Sequence, residues 1–334
     1  MNINDNAFYK LDLEYVSEID VEWEKLKDKN ILISGATGLV GSFLIDLLMS
    51  KNKKGLGCKL YAITRNKDKA VERFNCWKDD DLFNIIEHDI NTELILDDVS
   101  TVDYVLHMAS NTHPLLYSTD PIGTIMTNVV GLTNMLDFAV AHKAERFAFA
   151  SSNEIYGENR GDKELFDEEY CGYINCNTMR AGYPESKRCG EALCQAYKAQ
   201  KGLNIVIPRL TRSYGPTMKI DDTKAISQFI RNGVNRQNIV LKSTGEQFYS
   251  YTYVADAVSG LLYVLLKGEN GAAYNISDEK SDIKLKDLAS IIADISHKKV
   301  VFEIPDSIES AGYSKATKAR LDSSKLKQLG WKSK

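Results

Sequence analysis

Three tyrosines in this chain stand four residues before a lysine: Tyr183/Lys187, Tyr197/Lys201 and Tyr263/Lys267. On a helix that spacing puts both side chains on one face, one turn apart. A phenol beside an ammonium is a proton-transfer device, because the positive charge favours the phenolate and draws a group of ordinary pKa about 10 toward neutrality. Spacing alone does not choose among the three. Tyr197 and Tyr263 fall late in amphipathic stretches, where a core tyrosine and a surface lysine account for them. Tyr183 is followed by Pro184, a residue suited to the first turn of a helix, so this pair sits at a helix start that faces a cleft. Upstream, the apolar run Phe147-Ala148-Phe149-Ala150 ends in Ser151 and Ser152. A hydroxyl delivered at the end of that strand is placed to hold a substrate oxygen while Tyr183 exchanges the proton.

A second constellation is Gly35-Ala36-Thr37-Gly38-Leu39-Val40-Gly41, lying between the apolar run Ile31-Leu32-Ile33 and the helical spacing of Phe43, Leu44, Leu47 and Leu48. Missing side chains let the backbone approach a pyrophosphate, and the free N–H groups of a helix start receive its charge. This turn predicts a dinucleotide site. The next apolar run, Leu60 to Ile63, ends in Thr64-Arg65-Asn66 with no acid before Asp68. A cation there suits a 2′-phosphate better than a ribose hydroxyl, which favours NADP(H) over NAD(H), with a solvated surface role as the other reading of Arg65. Asp89 and Ile90, just past the third run Asn84 to Ile86, fall where the adenine would lie, an exposed loop acid being the alternative for Asp89.

Elements must hold these groups in place. Apolar runs at 31–33, 60–63, 84–86, 104–106 and 147–149 alternate with stretches of helical spacing, the pattern of an α/β, Rossmann-type doubly wound parallel sheet. From Pro121 to His142, apolar Ile122, Ile125, Met126, Val129, Leu132, Leu136 and Val140 predict a core-facing helix. A helix over 183–201 and a strand over 204–208 follow. Past Pro208, shorter runs at 239–241, 273–276 and 300–302 and helices near 223–233, 254–267 and 284–296 predict a smaller α+β lobe. The chain thus divides into an N-terminal extension (1–29) with a short amphipathic helix, a dinucleotide-binding domain (30–208) and a substrate-binding lobe (209–334), with a discontinuous boundary.

Composition narrows the function classes. The 334 residues carry 42 Lys and Arg against 46 Asp and Glu, a net charge of -4, so no basic excess is available for nucleic acid. No unbroken apolar stretch of membrane-spanning length and no basic-then-apolar leader are visible, which predicts a cytoplasmic protein with no membrane partner. Cys58, Cys76, Cys171, Cys176, Cys189 and Cys194 never form Cys-x-x-Cys and the histidines show no paired ligand spacing, so no metal site is expected.

Taken together these residues resemble the extended short-chain dehydrogenase/reductases, the NAD-dependent epimerase/dehydratase family, which act on nucleotide-linked sugars. The resemblance covers about residues 29–331. It rests on Gly35 to Gly41, His107-Met108-Ala109-Ser110, Asn128-Val129-Val130-Gly131, Ser151 to Gly157, Tyr183 to Lys187, Tyr253-Val254-Ala255-Asp256 and Leu329-Gly330-Trp331. The segment Arg180 to Arg188 is most similar to the UDP-glucuronate decarboxylase branch. The resemblance implies that Ser152, Tyr183 and Lys187 are catalytic and that Glu154 is the acid set near the sugar, with Asn153 beside it in the substrate site. It also implies that Met108, Ala109, Ser110 and Asn128 line the cofactor, and that the helices 121–142 and 183–201 form a homodimer.

Two departures bear on the substrate. Arg212 stands where relatives carry asparagine, and Tyr249 stands where they carry an arginine that grips the diphosphate. Arg212 is therefore expected to take over the diphosphate, with pairing to Asp221 or Asp222 as the alternative. Together with Arg65 this favours an NADP(H)-dependent reductase or dehydrogenase interconverting a carbonyl and an alcohol on a nucleotide-linked sugar or polyol, in cell-surface polysaccharide precursor synthesis. The alternative is a lyase or isomerase of the same family (UDP-glucuronate decarboxylase, 4-epimerase or 4,6-dehydratase), in which the hydride returns to the substrate and Glu154 acts as base. A member that kept the fold without activity would have no need of the full Ser152, Tyr183 and Lys187 set.

Overall fold

The computed structural model describes residues 3–96, 99–112, 114–303, 305, 313 and 316–334. In chain order, helix α1 (Ala7–Ser17) precedes strand β1 (Asn30–Ser34), helix α2 (Leu39–Asn52), strand β2 (Lys59–Thr64), helix α3 (Lys67–Arg73), and strands β3 (Phe83–Glu87) and β4 (Tyr104–His107). Helices α4 (Pro114–Thr119) and α5 (Pro121–Ala141) lead to β5 (Arg146–Phe149), the two-residue β6 (Ser151–Ser152), α6 (Gly182–Lys201) and β7 (Ile205–Leu210). The remainder holds β8 (Arg212–Tyr214), α7 (Ala225–Val234), β9 (Ile239–Leu241), β10 (Phe248–Tyr249), β11 (Tyr251–Tyr253), α8 (Val254–Lys267), β12 (Ala273–Ile276), β13 (Ile283–Lys284), α9 (Leu285–Ser296), β14 (Val300–Phe302), β15 (Lys318–Ala319) and α10 (Ser324–Gln328).

The large sheet runs β12-β7-β5-β4-β1-β2-β3 and every pairing is parallel, with β6 also on β7. Parallel strands need crossovers and are covered on both faces, which is why their apolar runs are continuous rather than alternating. One face buries Ile31, Ile33 and Leu60 against α1, α2 and α8 residues such as Tyr9, Phe43 and Leu262. The other buries Leu32, Val105 and Phe147 against Leu132 and Leu136 of α5 and Cys194 of α6. Strands β2 and β3 are added on one side of β1, and β4, β5, β7 and β12 on the other, so the crevice at the strands' C-terminal ends lies beside β1 and β4, where ligands of such sheets bind.

Helix α8 and strand β12 return to this large sheet, β12 pairing with β7 from Ala273↔Ile207 to Ile276↔Leu210, which divides residues 209–334 between the two layers. What stands apart are the pairs β8/β11 and β9/β14, the small sheet β13-β10-β15, and α7 and α9 packed on β9. By length and composition the 21-residue α5 is apolar enough to cross a membrane, a correction to the sequence expectation; here half of its most apolar stretch is buried, and it packs against α6. Helix α1, capped by the Asn6 side chain, lies across α2 and α8.

Candidate active site

The glycine turn is built by close approach. Gly35 has φ +73°, and a Cβ there would come within 2.7 Å of the Met108 and Ala109 backbone. A Cβ on Gly41 would meet the Gly35 carbonyl oxygen at 2.4 Å. Gly38 caps α2 without a side-chain acceptor, so the helix start keeps its backbone donors for a ligand. Beneath the turn, the Ser34 hydroxyl accepts from the Met108 and Ala109 N–H groups at 3.2 and 3.3 Å and shares a hydrogen bond with His107 Nδ1 at 2.8 Å. Burial, with a smaller push from Lys187, lowers the His107 pKa to about 3, so this ring is a neutral strut between β1 and β4.

One cavity of about 460 Å³ runs from this turn to the small sheet. Gly35, Thr37, Gly38, Leu39, Val40, Gly41, Arg65, Asp89, Ile90, Met108, Ala109 and Ser110 all line it. Arg65 and Asp89 are exposed at its mouth. Asn128 corrects its expected role. It is fully buried and absent from the lining, its Oδ1 accepting from Ser110 Oγ at 2.7 Å and its Nδ2 donating to Ser186 Oγ at 2.9 Å. It therefore ties the β4 turn to the start of α6, one bond from each end of its amide.

Ser152, Tyr183 and Lys187 meet at the middle of the cavity. Pairing of β5 and β6 with β7 keeps one register but lapses at Phe149 and Ala150, and the Ala150 carbonyl accepts from Lys187 Nζ at 2.8 Å. Lys187 is 2% exposed, and burial lowers its pKa to about 8. Ser152 caps the short 3-10 turn Asn153–Tyr156 by accepting from the Glu154 N–H at 3.2 Å. Burial raises the Tyr183 pKa, while the neighbouring Ser152 and Tyr117 hydroxyls draw it back down.

The far end of the site is a charged and aromatic run. Arg180, on the turn leading into α6, donates to Glu154 Oε2 at 2.7 Å, and Arg212 Nη2 lies 3.7 Å from Glu154 Oε1. The Arg212 guanidinium stacks 3.5 Å over the Tyr249 ring, and that of Arg180 lies 4.7 Å over Tyr117. Arg212 thus faces the acid beside the reacting groups and not Asp221 or Asp222, the alternative partners to the diphosphate; Asp222 accepts from Lys224. Arg180 Nε and Nη1 and Arg212 Nη1 are buried with no hydrogen-bond partner among the described residues. Two cations against one carboxylate leave this end of the cavity electropositive. Asn153 is buried and lines the cavity next to Ser152.

Two site residues escaped the sequence reading. Arg180 lay inside a quoted motif, three residues before Tyr183, without a role assigned to it. Tyr117 carried no signal beyond its place after the β4 turn. The residues fit a nicotinamide dinucleotide: the turn at Gly35–Gly41 has room that a Cβ would fill, and its uncapped helix start supplies donors for a pyrophosphate. In that setting Tyr183, Ser152 and Lys187 would lie at the nicotinamide end, and Arg65 at the adenosine ribose.

A profile of the NAD dependent epimerase/dehydratase family matches residues 31–277. UDP-glucuronic acid decarboxylase 5 of Arabidopsis thaliana is 31% identical over 305 residues, covering 91% of this chain and 84% of the relative. Among solved structures, the dTDP-glucose 4,6-dehydratase of Streptomyces venezuelae, with NAD bound, superposes with a TM-score of 0.77 at 21% identity over 91% of this chain and 92% of its own. UDP-glucuronic acid 4-epimerase of Bacillus cereus, in complex with UDP-glucuronic acid and NAD, gives 0.76 at 21% identity, over 91% and 94%. At such identities the superpositions speak for the fold, and the profile and the decarboxylase speak for kinship. The profile begins in β1 and ends just past β12, and so spans every strand of the large sheet. The chain therefore belongs to the NAD-dependent epimerase/dehydratase family and is an enzyme of the short-chain dehydrogenase/reductase superfamily.

Proposed function

We propose that this enzyme is a nucleotide-sugar lyase that oxidises a ring alcohol, releases carbon dioxide from the adjacent carbon and returns the hydride to the same substrate. The observation that carries this reading is the electropositive end of the cavity, where Arg180 and Arg212 flank Glu154 beside Tyr183. A sugar carboxylate placed there would balance the second cation. Kinship with UDP-glucuronic acid decarboxylases supports the same substrate class, a nucleotide-linked uronate.

The residues divide the work. Ser152 holds the alcohol oxygen and the Tyr183 phenolate takes its proton, while Lys187 fixes the Ala150 carbonyl at the strand break beside them. The bound dinucleotide supplies the acceptor and later donor of the hydride. Oxidation next to the carboxylate-bearing carbon creates a β-keto acid. Its carbon–carboxylate bond breaks with the electron pair moving to the ketone oxygen, where the Ser152 and Tyr183 hydroxyls stabilise it. One proton from solvent replaces the lost carboxylate, and Glu154, which lines the cavity beside Ser152, would take it up and pass it to that carbon. Until that bond breaks, the substrate carboxylate and Glu154 would share two guanidinium groups, which keeps the site from accumulating unpaired negative charge.

A second reading, the net NADP(H)-dependent reductase, is favoured by one observation, the exposed Arg65 at the cavity mouth with no acid ending β2. One experiment separates them. Incubation with UDP-glucuronate and NAD+ or NADP+, followed by mass spectrometry and absorbance of the reduced nicotinamide, should give carbon dioxide and a UDP-pentose without net cofactor reduction. Stoichiometric change of the nicotinamide would instead support the reductase. Ile122, Ile125 and Met126, exposed on α5, support a homodimer through α5 and α6.

A further inference from the structure

Among the groups around Tyr183, the one left without a role is another phenol. Tyr117 of α4 is 6% exposed, and its ring stacks on that of Tyr183 with centroids 4.6 Å apart and planes 28° apart. The Arg180 guanidinium lies 4.7 Å over the same Tyr117 ring. Helix α4 packs on α5 and on the turn that carries Arg180, so its position is set by the framework of the site.

We propose that Tyr117 is a positioning residue for proton transfer: its ring fixes the Tyr183 ring by stacking, and its hydroxyl donates to the Tyr183 oxygen, so that the phenolate is held by two donors, Ser152 and Tyr117. Burial raises the pKa of Tyr117 well above that of an ordinary phenol, so it keeps a proton to donate over the whole working range. The Arg180 cation over the ring makes that hydroxyl a better donor by withdrawing electron density. Lys187, the other source of stabilisation, is turned to the Ala150 carbonyl and has itself lost proton affinity through burial, which leaves more of the task to neutral donors. The ionisable neighbours acting on the pair are Glu154, which opposes the phenolate, and Arg180, which favours it. No proton is transferred from Tyr117; it remains a donor throughout.

This inference rests on Tyr183 being the proton-transfer group, and its test does not need turnover. Protein labelled with carbon-13 at the tyrosine Cζ is titrated by NMR, with and without NAD+, and the Tyr183 and Tyr117 signals are assigned from the Tyr183→Phe and Tyr117→Phe spectra. Losing one donor to a charged oxygen should raise the Tyr183 midpoint by about one pH unit, since such bonds typically contribute about 1.5 kcal/mol or more. Tyr117→Phe keeps the stacked ring, and Tyr117→Met fills the volume without donating, so both should show the rise. An unmoved Tyr183 midpoint in either folded variant overturns the proposal and leaves Tyr117 as packing. Full turnover in Tyr183→Phe would instead overturn the proton-transfer assignment on which it depends.

Discussion

Replacing Lys187 by methionine should abolish turnover and change the stability of the protein by an amount that depends on pH. The ammonium is 2% exposed and its pKa falls from 10.5 to about 8, because burial penalises the charged form more than the surrounding groups repay. In the unfolded chain the group titrates at its ordinary value. Near pH 7 the folded state therefore carries a cost of about 3 kcal/mol, at about 1.4 kcal/mol per pH unit, that methionine lacks. Between pH 8 and 10.5 the unfolded state binds more protons than the folded one, so the stability of the parent protein rises with pH relative to the variant. Methionine also forfeits the bond to the Ala150 carbonyl, a loss of about 1–3 kcal/mol at every pH. The pH-dependent part is thus the diagnostic quantity. Denaturant unfolding of both proteins without cofactor at pH 7 and pH 10 should show their difference shifting toward the parent by about 2 kcal/mol. A difference that stays constant across that range would refute the claim that Lys187 is buried at the expense of its charge.

Tyr183→Phe should lower turnover by about 10²-fold or more with a nearly unchanged melting temperature, as expected when a general acid-base group alone is lost; stopped assays and calorimetry check this. Arg212→Ala removes a cation from the face of Tyr249 and from beside Glu154, and should weaken substrate binding by about 1.5–3 kcal/mol without altering cofactor affinity. A lower melting temperature with an unchanged Michaelis constant would reduce Arg212 to a structural role. Arg65→Ala should cost NADPH about 1.5–3 kcal/mol and NADH little, and equal affinities for the two in the parent protein would remove the case for a 2′-phosphate partner at that position.

Legibility followed the range of the interaction. Strands β1 to β5 were visible because a buried parallel strand is an unbroken apolar run, and α8 and β12 matched their expected limits for the same reason of local pattern. Their membership in the large sheet was not visible, since pairing of Ala273 with Ile207 leaves no mark in either segment. Within the site, the glycine turn and the Tyr183/Lys187 pair are short-range and were readable. Arg212 and Tyr249 were both singled out as departures, but their stacking joins residues on β8 and β10 and emerges only from the fold. Asn128 was placed at the cofactor by the family resemblance; its amide bonds to Ser110 and Ser186, a fact about partners that the sequence does not state.

One buried carboxylate gathers the N-terminal segment onto the cofactor-binding layer, beside the apolar packing of Tyr9, Leu13 and Val16. Asp46, fully buried on α2, accepts from Tyr9 Oη and Trp77 Nε1 at 2.7 Å, from Arg73 Nη2 at 2.5 Å and from Asn4 Nδ2 at 3.4 Å. Two of those four donors lie ahead of residue 31, where the match to the family profile begins. A chimera that joins a relative's leader to β1 of this enzyme would therefore inherit a buried charge with half of its donors gone, a defect costing about 1–3 kcal/mol for each donor lost. The natural unit of exchange is residues 1–29 together with position 46, and a recombinant library that treats them as independent would discard folded solutions at that seam.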